Sequence, residues 1–475
     1  MPIRTKKVYF QTFGCQMNVY DTDRMLRLLA ADNYTATDSY ESADLVVVNT
    51  CAIREKAVQK VYSFVGRICR IKRRRPDLLL AVTGCVAQQQ SREIVERFEG
   101  VDLVLGTHAV DRMPAYLEQL EAGRCRIVDV AMNAGIDTMD AAHSNVPAAA
   151  VSSFVTIMRG CDNFCTYCVV PYVRGRETSR KPERIVDEVR SLVDAGAREV
   201  TLLGQNVNSY GKKEGLCSFA ELLDRVSEVS GLSRIRFVTS HPKDLSDELI
   251  RAFGRLDKLC NHIHLPVQSG ADRILQKMNR KYTAENYMER VDALRAVRPD
   301  IAISSDCIVG FPGETEADFQ QTLDLIDRVG FDNLFAFEYS DRPEAPARRF
   351  EGKVAPAEKK RRLQHLLQRQ AEITHRIYED LVGRTQTVLV EGLSKKRRYD
   401  GRENGGDGVE VSGRTPENRI VNFLHDTPAG GQAEALKGRL VSVKIEKACA
   451  NSLWGKYVAQ PDATALIKGG KINAA

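Results

Sequence analysis

The sequence predicts an α/β protein in three parts: a parallel-sheet domain, a central partial barrel of six βα units, and a small carboxyl-terminal β-barrel. Three observations indicate this order. Strand-like and helical runs alternate near the amino terminus, six further strand-like runs alternate with helices in the centre, and short β-runs with glycine turns follow. The predicted boundaries are 1–122 for the first domain, 123–150 for a linker, 151–382 for the central domain, 383–447 for the barrel and 448–475 for a tail.

Cysteines follow three of the strands predicted in the first domain. These strands cover residues 7–14, 43–50, 78–84 and 101–105, and the first three lead directly into Cys15, Cys51 and Cys85. Alternating strands and helices imply a parallel sheet, whose strands all end at the edge where ligands bind. We therefore expect the three thiolates to meet and to hold an iron–sulfur cube with one iron left open. The alternative is three separately buried thiols.

A second set of cysteines follows the first strand of the predicted central barrel. Cys161, Cys165 and Cys168 have the spacing C-x3-C-x2-C. Three thiolates on one tight loop can hold three irons of a [4Fe-4S] cube, leaving the fourth iron free to bind a small molecule. A zinc loop is the alternative, but structural zinc sites usually need a second pair of ligands, and none follows here. Three cysteines also cannot pair evenly as disulfides.

Polar side chains occupy the predicted carboxyl ends of the barrel strands, where barrel enzymes carry their chemistry. These ends carry amides, hydroxyls and glycines rather than a Ser-His-Asp or paired-carboxylate arrangement. Such groups suit a zwitterionic, ribose-bearing ligand held by hydrogen bonds, not acid–base hydrolysis. The side chains expected to contact this cofactor are Tyr167, Gln205, Ser240, Gln268 and Asp306.

Basic residues in the carboxyl-terminal barrel predict contact with RNA phosphates. Lys395, Lys396, Arg397 and Arg398 stand in a row, and Arg414 follows in a second loop. Adjacent cations repel each other unless something acidic lies nearby. The alternative is the solvated tip of a hairpin.

Composition limits the class of protein. The net charge of +6 permits an acidic partner such as RNA without requiring one. The amino terminus shows no secretory pattern, and no apolar stretch approaches the ~18 residues of a membrane span. We therefore expect a cytoplasmic protein without a membrane partner, in which the twelve cysteines act as metal ligands or buried thiols rather than disulfides.

Several sequence words resemble the methylthiotransferase family of radical S-adenosylmethionine (SAM) enzymes, and the likeness covers nearly the whole chain. They are Gly14-Cys15-Gln16-Met17-Asn18, Asn49-Thr50-Cys51-Ala52-Ile53-Arg54-Glu55, Gly84-Cys85-Val86-Ala87-Gln88, Tyr172-Val173-Arg174-Gly175-Arg176-Glu177 and Leu203-Gly204-Gln205-Asn206-Val207-Asn208. The terminal barrel resembles the TRAM domain. Within the family, the likeness is strongest to members that act on dimethylallyladenosine in tRNA.

The resemblance implies two [4Fe-4S] clusters and SAM as cofactors. Cys161, Cys165 and Cys168 would hold the cluster that cleaves SAM, and Cys15, Cys51 and Cys85 an auxiliary cluster that presents sulfur. The implied reaction adds a methylthio group to carbon 2 of N6-dimethylallyladenosine at position 37 of tRNA, with a second SAM supplying the methyl group.

The implied partners are the tRNA anticodon arm, a flavodoxin- or ferredoxin-like electron donor, and a supplier of sulfur or clusters, with the chain acting as a monomer. Two alternatives stay open within the family: a sibling enzyme acting on threonylcarbamoyl-adenosine in tRNA, and one acting on an aspartate of a ribosomal protein. A third alternative, from another class, is an iron–sulfur RNA-binding protein without catalysis.

Overall fold

The computed structural model describes residues 5–52, 55–123, 125–132, 149–394, 409–425 and 435–458. Within them the chain forms the three expected domains. The first is a six-stranded parallel sheet in the order β2-β1-β3-β4-β5-β6. Its elements are β1 (Lys6–Thr12), α1 (Gln16–Ala31), β2 (Tyr34–Ala36), β3 (Leu45–Thr50), α2 (Glu55–Lys72), β4 (Leu79–Gly84), α3 (Cys85–Arg97), β5 (Leu103–Leu105), α4 (Met113–Ala122) and β6 (Ile127–Asp129).

The central strands of this sheet are buried on both faces. In β3, Val46 and Val48 pack into one apolar cluster, whereas Leu45 and Val47 pack into a second cluster on the opposite face. This alternation follows from the two-residue period of a strand, and it explains why the strand reads as a continuous apolar run. The sheet has six strands, whereas the sequence predicted four. The two that were not predicted, β2 and β6, are only three residues long and leave a weak pattern in the sequence. Strand β6 lies within the predicted linker, so the domain extends beyond residue 122.

The second domain contains six parallel barrel strands in two three-stranded sheets, β7-β10-β11 and β12-β13-β14. A bridge between Ile235 and Leu259 joins the two sheets. The elements are β7 (Ser152–Thr156), β8 (Met158–Arg159), α5 (Val170–Arg174), β9 (Thr178–Ser179), α6 (Pro182–Asp194), β10 (Glu199–Leu203), α7 (Phe219–Ser227), β11 (Arg234–Phe237), α8 (Asp247–Arg255), β12 (His262–His264), α9 (Asp272–Lys277), α10 (Ala284–Val297), β13 (Ala302–Val309), α11 (Glu316–Val329), β14 (Asn333–Glu338) and α12 (Pro356–Glu379).

The third domain is a closed five-stranded barrel in the order β15-β16-β17-β19-β18. Its strands are β15 (Thr385–Leu393), β16 (Val409–Arg414), β17 (Ile420–His425), β18 (Leu440–Cys449) and β19 (Ser452–Val458). The predicted end at residue 447 is too early, because β19 closes the barrel. Gly455 makes this strand resemble a loop in sequence, but a Cβ there would lie 2.2 Å from the Lys444 carbonyl oxygen of β18. The glycine therefore permits close strand pairing.

The third domain contacts the amino ends of the central strands. Arg234, the first residue of β11, donates to the carbonyl oxygens of Arg414 (2.6 Å) and Thr387 (3.2 Å). Asn261, just before β12, donates to Glu417 at 3.3 Å. The carboxyl ends of the same strands therefore face away from this contact. Within the described residues, we find no helix that combines the length and apolar character needed to cross a membrane.

Candidate active site

A cavity of about 250 Å³ lies between the first and second domains, at the carboxyl ends of the strands of the first-domain sheet and of the central barrel. Five of the six cysteines predicted as ligands line it: Cys15, Cys85, Cys161, Cys165 and Cys168. All five predicted cofactor contacts line it too: Tyr167, Gln205, Ser240, Gln268 and Asp306. The fold thus brings both predicted sets together around one space.

The first-domain cysteines come from three neighbouring strands of the sheet. Cys15 caps α1 after β1, Cys51 follows β3, and Cys85 begins α3 after β4. A hydrogen bond from Cys51 lowers the pKa of Cys15 to about 6, so these two thiols are in contact. Gly14 makes this approach possible, since it has a φ of +117° and a Cβ there would lie 2.8 Å from the Cys51 sulfur.

A buried arginine from the second domain faces this set of cysteines. Arg174 donates to Asn18 Oδ1 and Asp21 Oδ2, each at 3.0 Å. Burial raises the pKa of the Cys85 thiol, and the Arg174 guanidinium, which hydrogen-bonds to it, opposes that rise. The cation beside the cysteines of the first domain is therefore supplied by the second domain.

The loop from Cys161 to Cys168 is held by backbone contacts. The Cys161 amide donates to the Gly175 carbonyl (3.2 Å), and the Thr166 amide donates to the Met278 carbonyl (3.1 Å). The Asn279 side chain donates to the Phe164 carbonyl at 3.0 Å. Phe164 has a φ of +47°, a left-handed conformation that these contacts sustain.

Arg280 lies beneath the same loop and is buried. Its guanidinium donates to the Pro266 carbonyl (2.6 Å) and to the sulfur of Cys165 and the hydroxyl of Tyr167 (3.4 Å each). Burial raises the pKa of Cys161 to about 11 and that of Cys168 to about 12. Because such thiols stay protonated at neutral pH, binding a positively charged metal centre would release their protons.

Three polar side chains in the cavity wall, Gln205, Ser240 and His241, have a buried atom that lacks a hydrogen-bond partner among the described residues. Gln205 accepts from the Gly160 amide through Oε1 (2.5 Å), which leaves its Nε2 buried without an acceptor. The Ser240 hydroxyl is likewise buried and unpaired. Buried polar atoms are costly unless something satisfies them. These groups therefore fit a polar ligand such as SAM.

Backbone strain is also concentrated at the cavity. Thr239 and Gln268 both line it and have φ values of +69° and +73°. Left-handed conformations at non-glycine residues cluster at functional sites, and for a β-branched threonine the conformation is especially rare. The Gln268 backbone is fixed by bonds to Asp306 and Ile308, each 2.9 Å long.

An exposed aromatic ring lies on the inner face of the second half of the barrel. Phe335 of β14 is paired in register with Asp306 of β13, so both side chains project from the same face of the sheet. Phe335 is 45% exposed, and its ring contacts His264 at 6.1 Å between centroids. The cavity side of the barrel thus offers an apolar surface beside its polar groups.

The donor sets suit iron–sulfur cubes better than single ions. Within the described ranges, no three His, Cys, Asp or Glu side chains are grouped as ligands of one metal ion. Ligands of a cube bind separate irons, so they need not converge on the position of a single ion. The three sulfur donors of the Cys161–Cys168 loop, with polar groups beside them in the cavity, fit one such cube with SAM next to it.

Of the predicted RNA contacts, Arg414 lies within the described residues, and it does not line this cavity. Lys395, Lys396, Arg397 and Arg398 lie outside the described residues. Arg414 pairs with Glu391 at 3.2 Å and donates to Asn418 at 3.2 Å, beside the contact between the second and third domains. Its predicted role in RNA binding stays a prediction.

Sequence reasoning missed Arg174 and Arg280. A buried arginine has no sequence signature of its own, since the same residue type is usually exposed. Two signals pointed to Arg174: it lies six residues after Cys168 and within one of the words that resemble the methylthiotransferase family. Arg280 had only its position in a loop after α9.

Family models match all three domains. The model of the uncharacterized protein family UPF0004 matches residues 7–106, that of the radical SAM superfamily residues 155–326, and that of the TRAM domain residues 379–458. The last match confirms that the barrel reaches Val458.

Solved structures share the fold. A radical S-adenosylmethionine methyltransferase, TsrM, from Kitasatospora setae aligns with a TM-score of 0.54 at 15% identity, covering 84% of this chain and 82% of that one. The cobalamin-dependent S-adenosylmethionine radical enzyme OxsB aligns with a TM-score of 0.51 at 10% identity, covering 78% of this chain and 58% of that one.

Curated relatives match over nearly the full length. A protein of Desulfosudis oleivorans is 54% identical over 95% of this chain and 96% of its own length, and one of Geobacter metallireducens is 49% identical over 95% and 98%. One of Syntrophus aciditrophicus is 46% identical over 96% and 95%. All three carry the name tRNA-2-methylthio-N(6)-dimethylallyladenosine synthase. The chain therefore belongs to this family of radical SAM methylthiotransferases.

Proposed function

We propose that this chain adds a methylthio group to carbon 2 of N6-dimethylallyladenosine at position 37 of tRNA. Membership of the radical SAM superfamily implies one [4Fe-4S] cluster and SAM. The proposal adds an auxiliary cluster on Cys15, Cys51 and Cys85. It also includes the anticodon arm as substrate, a flavodoxin- or ferredoxin-like electron donor, a supplier of sulfur or clusters, a monomeric state and a cytoplasmic location.

One observation carries the proposal: both cysteine sets open onto the same cavity. A hydrogen on carbon 2 of adenine is neither acidic nor a leaving group, so general acid–base and nucleophilic catalysis give little help. When bound, the clusters and SAM supply one-electron chemistry and sulfur, while the protein positions the reacting groups. A single cavity between the two sets supports delivery of both to one substrate atom.

The residues of the cavity have separable tasks in this proposal. Cys161, Cys165 and Cys168 would hold the cluster that binds SAM, with Arg280 fixing their loop from below. Gln205 and Ser240 would bind polar groups of SAM through their unpaired atoms. Burial keeps the pKa of His241 far below its ordinary value, so this histidine stays neutral and is no proton donor.

The exposed ring of Phe335 favours dimethylallyladenosine over the sibling substrates. A dimethylallyl group is apolar and gains free energy by leaving water against an aromatic surface. Threonylcarbamoyl and aspartate groups carry a carboxylate, which such a surface does not satisfy. Asp306, in register beside Phe335, would further disfavour an anion.

Nucleoside mass spectrometry of tRNA from a strain lacking this chain tests the proposal. We expect the methylthio nucleoside to disappear and N6-dimethylallyladenosine to accumulate, with both restored by the wild-type gene. Loss of a methylthio signal from threonylcarbamoyl-adenosine, or from a ribosomal protein, would assign the sibling activity instead. An unchanged profile in all three would contradict the proposal.

A further inference from the structure

A five-residue helix joins the two cysteine sets. Helix α5 begins two residues after Cys168 and ends at Arg174. Five residues of helix span only ~7.5 Å. Cys168 of one cysteine set and Arg174, whose guanidinium faces the other set, are therefore held close together. The helix is anchored to the first domain, because Thr107 donates to the Val173 carbonyl (2.6 Å) and the His108 ring bonds the Arg174 carbonyl (3.0 Å).

The Arg174 side chain extends from the second domain into the site of the first. Its guanidinium donates to Asn18 and Asp21 of α1 and hydrogen-bonds to Cys85. Arg174 lines the same cavity as Cys15 and Cys85. The side chain is only 4% exposed, so these electrostatic interactions are little screened by water.

Other buried charges near this contact are arranged to favour an anion. Arg24 forms an ion pair with Asp111, and Arg159 lies close by with its pKa lowered to about 10 by burial and by the neighbouring arginines. Concentrating guanidinium groups in a buried region is unfavourable unless negative charge accompanies them. Asp21 and Asp111 supply part of that charge, and thiolates carrying a cluster would add to it.

We propose that Arg174 is a positioning residue through which the radical SAM domain completes the auxiliary cluster site and raises its reduction potential. The proposal rests on the auxiliary cluster of the proposed function. Adding an electron makes a cluster more negative, so a fixed cation beside its thiolates favours the reduced form. The two sites are then coupled, because Cys168, a ligand of the SAM-side cluster, lies two residues before α5, and Arg174, the cation beside the auxiliary site, is the last residue of α5.

The test uses full-length chain in which Cys161, Cys165 and Cys168 are all replaced by alanine, leaving only the auxiliary site. Iron content after anaerobic reconstitution is measured first. If this chain binds no cluster, the auxiliary site itself fails, and that result is separate from any effect of Arg174.

Arg174→Gln and Arg174→Lys are then compared in the same background by redox titration followed by electron paramagnetic resonance. We expect the glutamine variant to have a more negative midpoint potential or to lose its cluster. Lysine keeps the charge but lacks the planar guanidinium, whose Nη2 donates to both Asn18 and Asp21, so we expect it to recover most of the potential.

Arg176→Gln is the matched control, since Arg176 lies two residues away with a largely exposed side chain paired with Asp162. It should leave cluster content and potential unchanged. A glutamine variant of Arg174 with a full cluster and the parental potential would overturn the proposal. Equal loss of the cluster in the lysine and glutamine variants would also overturn it, by assigning Arg174 a packing role alone.

Discussion

Replacing Cys15, Cys51 and Cys85 together by alanine will abolish methylthiolation of tRNA but leave reductive cleavage of SAM in place. The three residues belong to the first domain, whereas the Cys161–Cys168 loop and its support from Arg280 lie in the second. Losing the auxiliary site therefore removes the sulfur source without disturbing the SAM site. The measurements are 5′-deoxyadenosine released from SAM and methylthio nucleoside formed in tRNA, both under anaerobic conditions.

Cys69→Ala is the matched control for this prediction. Cys69 is also a thiol of the first domain, but it lies on α2 against Gly100 and does not line the cavity. We expect both activities to persist in this variant. If the triple variant folds normally but loses SAM cleavage along with thiolation, the two sites are not separate and the assignment is wrong.

Glu188→Ala will destabilise the protein by about 3–5 kcal/mol, because it leaves a buried arginine without its carboxylate. Arg180 and Glu188 are 0% and 1% exposed and form an ion pair at 2.6 Å. Arg180 also donates to the Thr156 carbonyl (2.6 Å), and Tyr20 of α1 donates to Glu188 (3.3 Å). The pair therefore helps hold the first domain against the second. Urea unfolding followed by circular dichroism measures the loss.

An exposed pair on the same helix gives the comparison. Glu183 of α6 pairs with Arg225 at 3.2 Å, but its side chain is 70% exposed. Exposed pairs contribute only about 0–1 kcal/mol, so Glu183→Ala should scarcely move the urea midpoint. Equal midpoints for the two variants would show that the Arg180–Glu188 pair does not stabilise the fold.

The positions of both cysteine sets in the fold could be predicted because their signal combines spacing with position, whereas their role as cluster ligands stays a prediction. Three cysteines in C-x3-C-x2-C are specific by spacing alone. Cys15, Cys51 and Cys85 are far apart in sequence, and only their position after buried parallel strands brings them together. The same rule, that parallel strands all end at one edge, located Gln205, Ser240 and the other predicted cavity residues. A residue that follows a strand can be placed at that edge from the local sequence alone.

Contacts between domains could not be predicted in this way. Arg174 meets Asn18 and Asp21 across more than 150 residues, and nothing near it in sequence marks it as buried. Arg234 donates to backbone carbonyl oxygens of the third domain. Every residue has a carbonyl oxygen, so the sequence does not mark these two as partners of Arg234. Strand β19 was missed for a local reason: Gly455 looks like a breaker unless the neighbouring backbone of β18 is known.

We propose that this chain binds two [4Fe-4S] clusters, each through three cysteines. Mössbauer spectroscopy with iron and sulfide analysis of anaerobically reconstituted, full-length protein tests it most directly. We predict about eight irons per chain, all in cubes, with SAM perturbing the spectrum of one cube only. A fully loaded protein that holds a single cube, or zinc in place of iron, would contradict the two-cluster proposal.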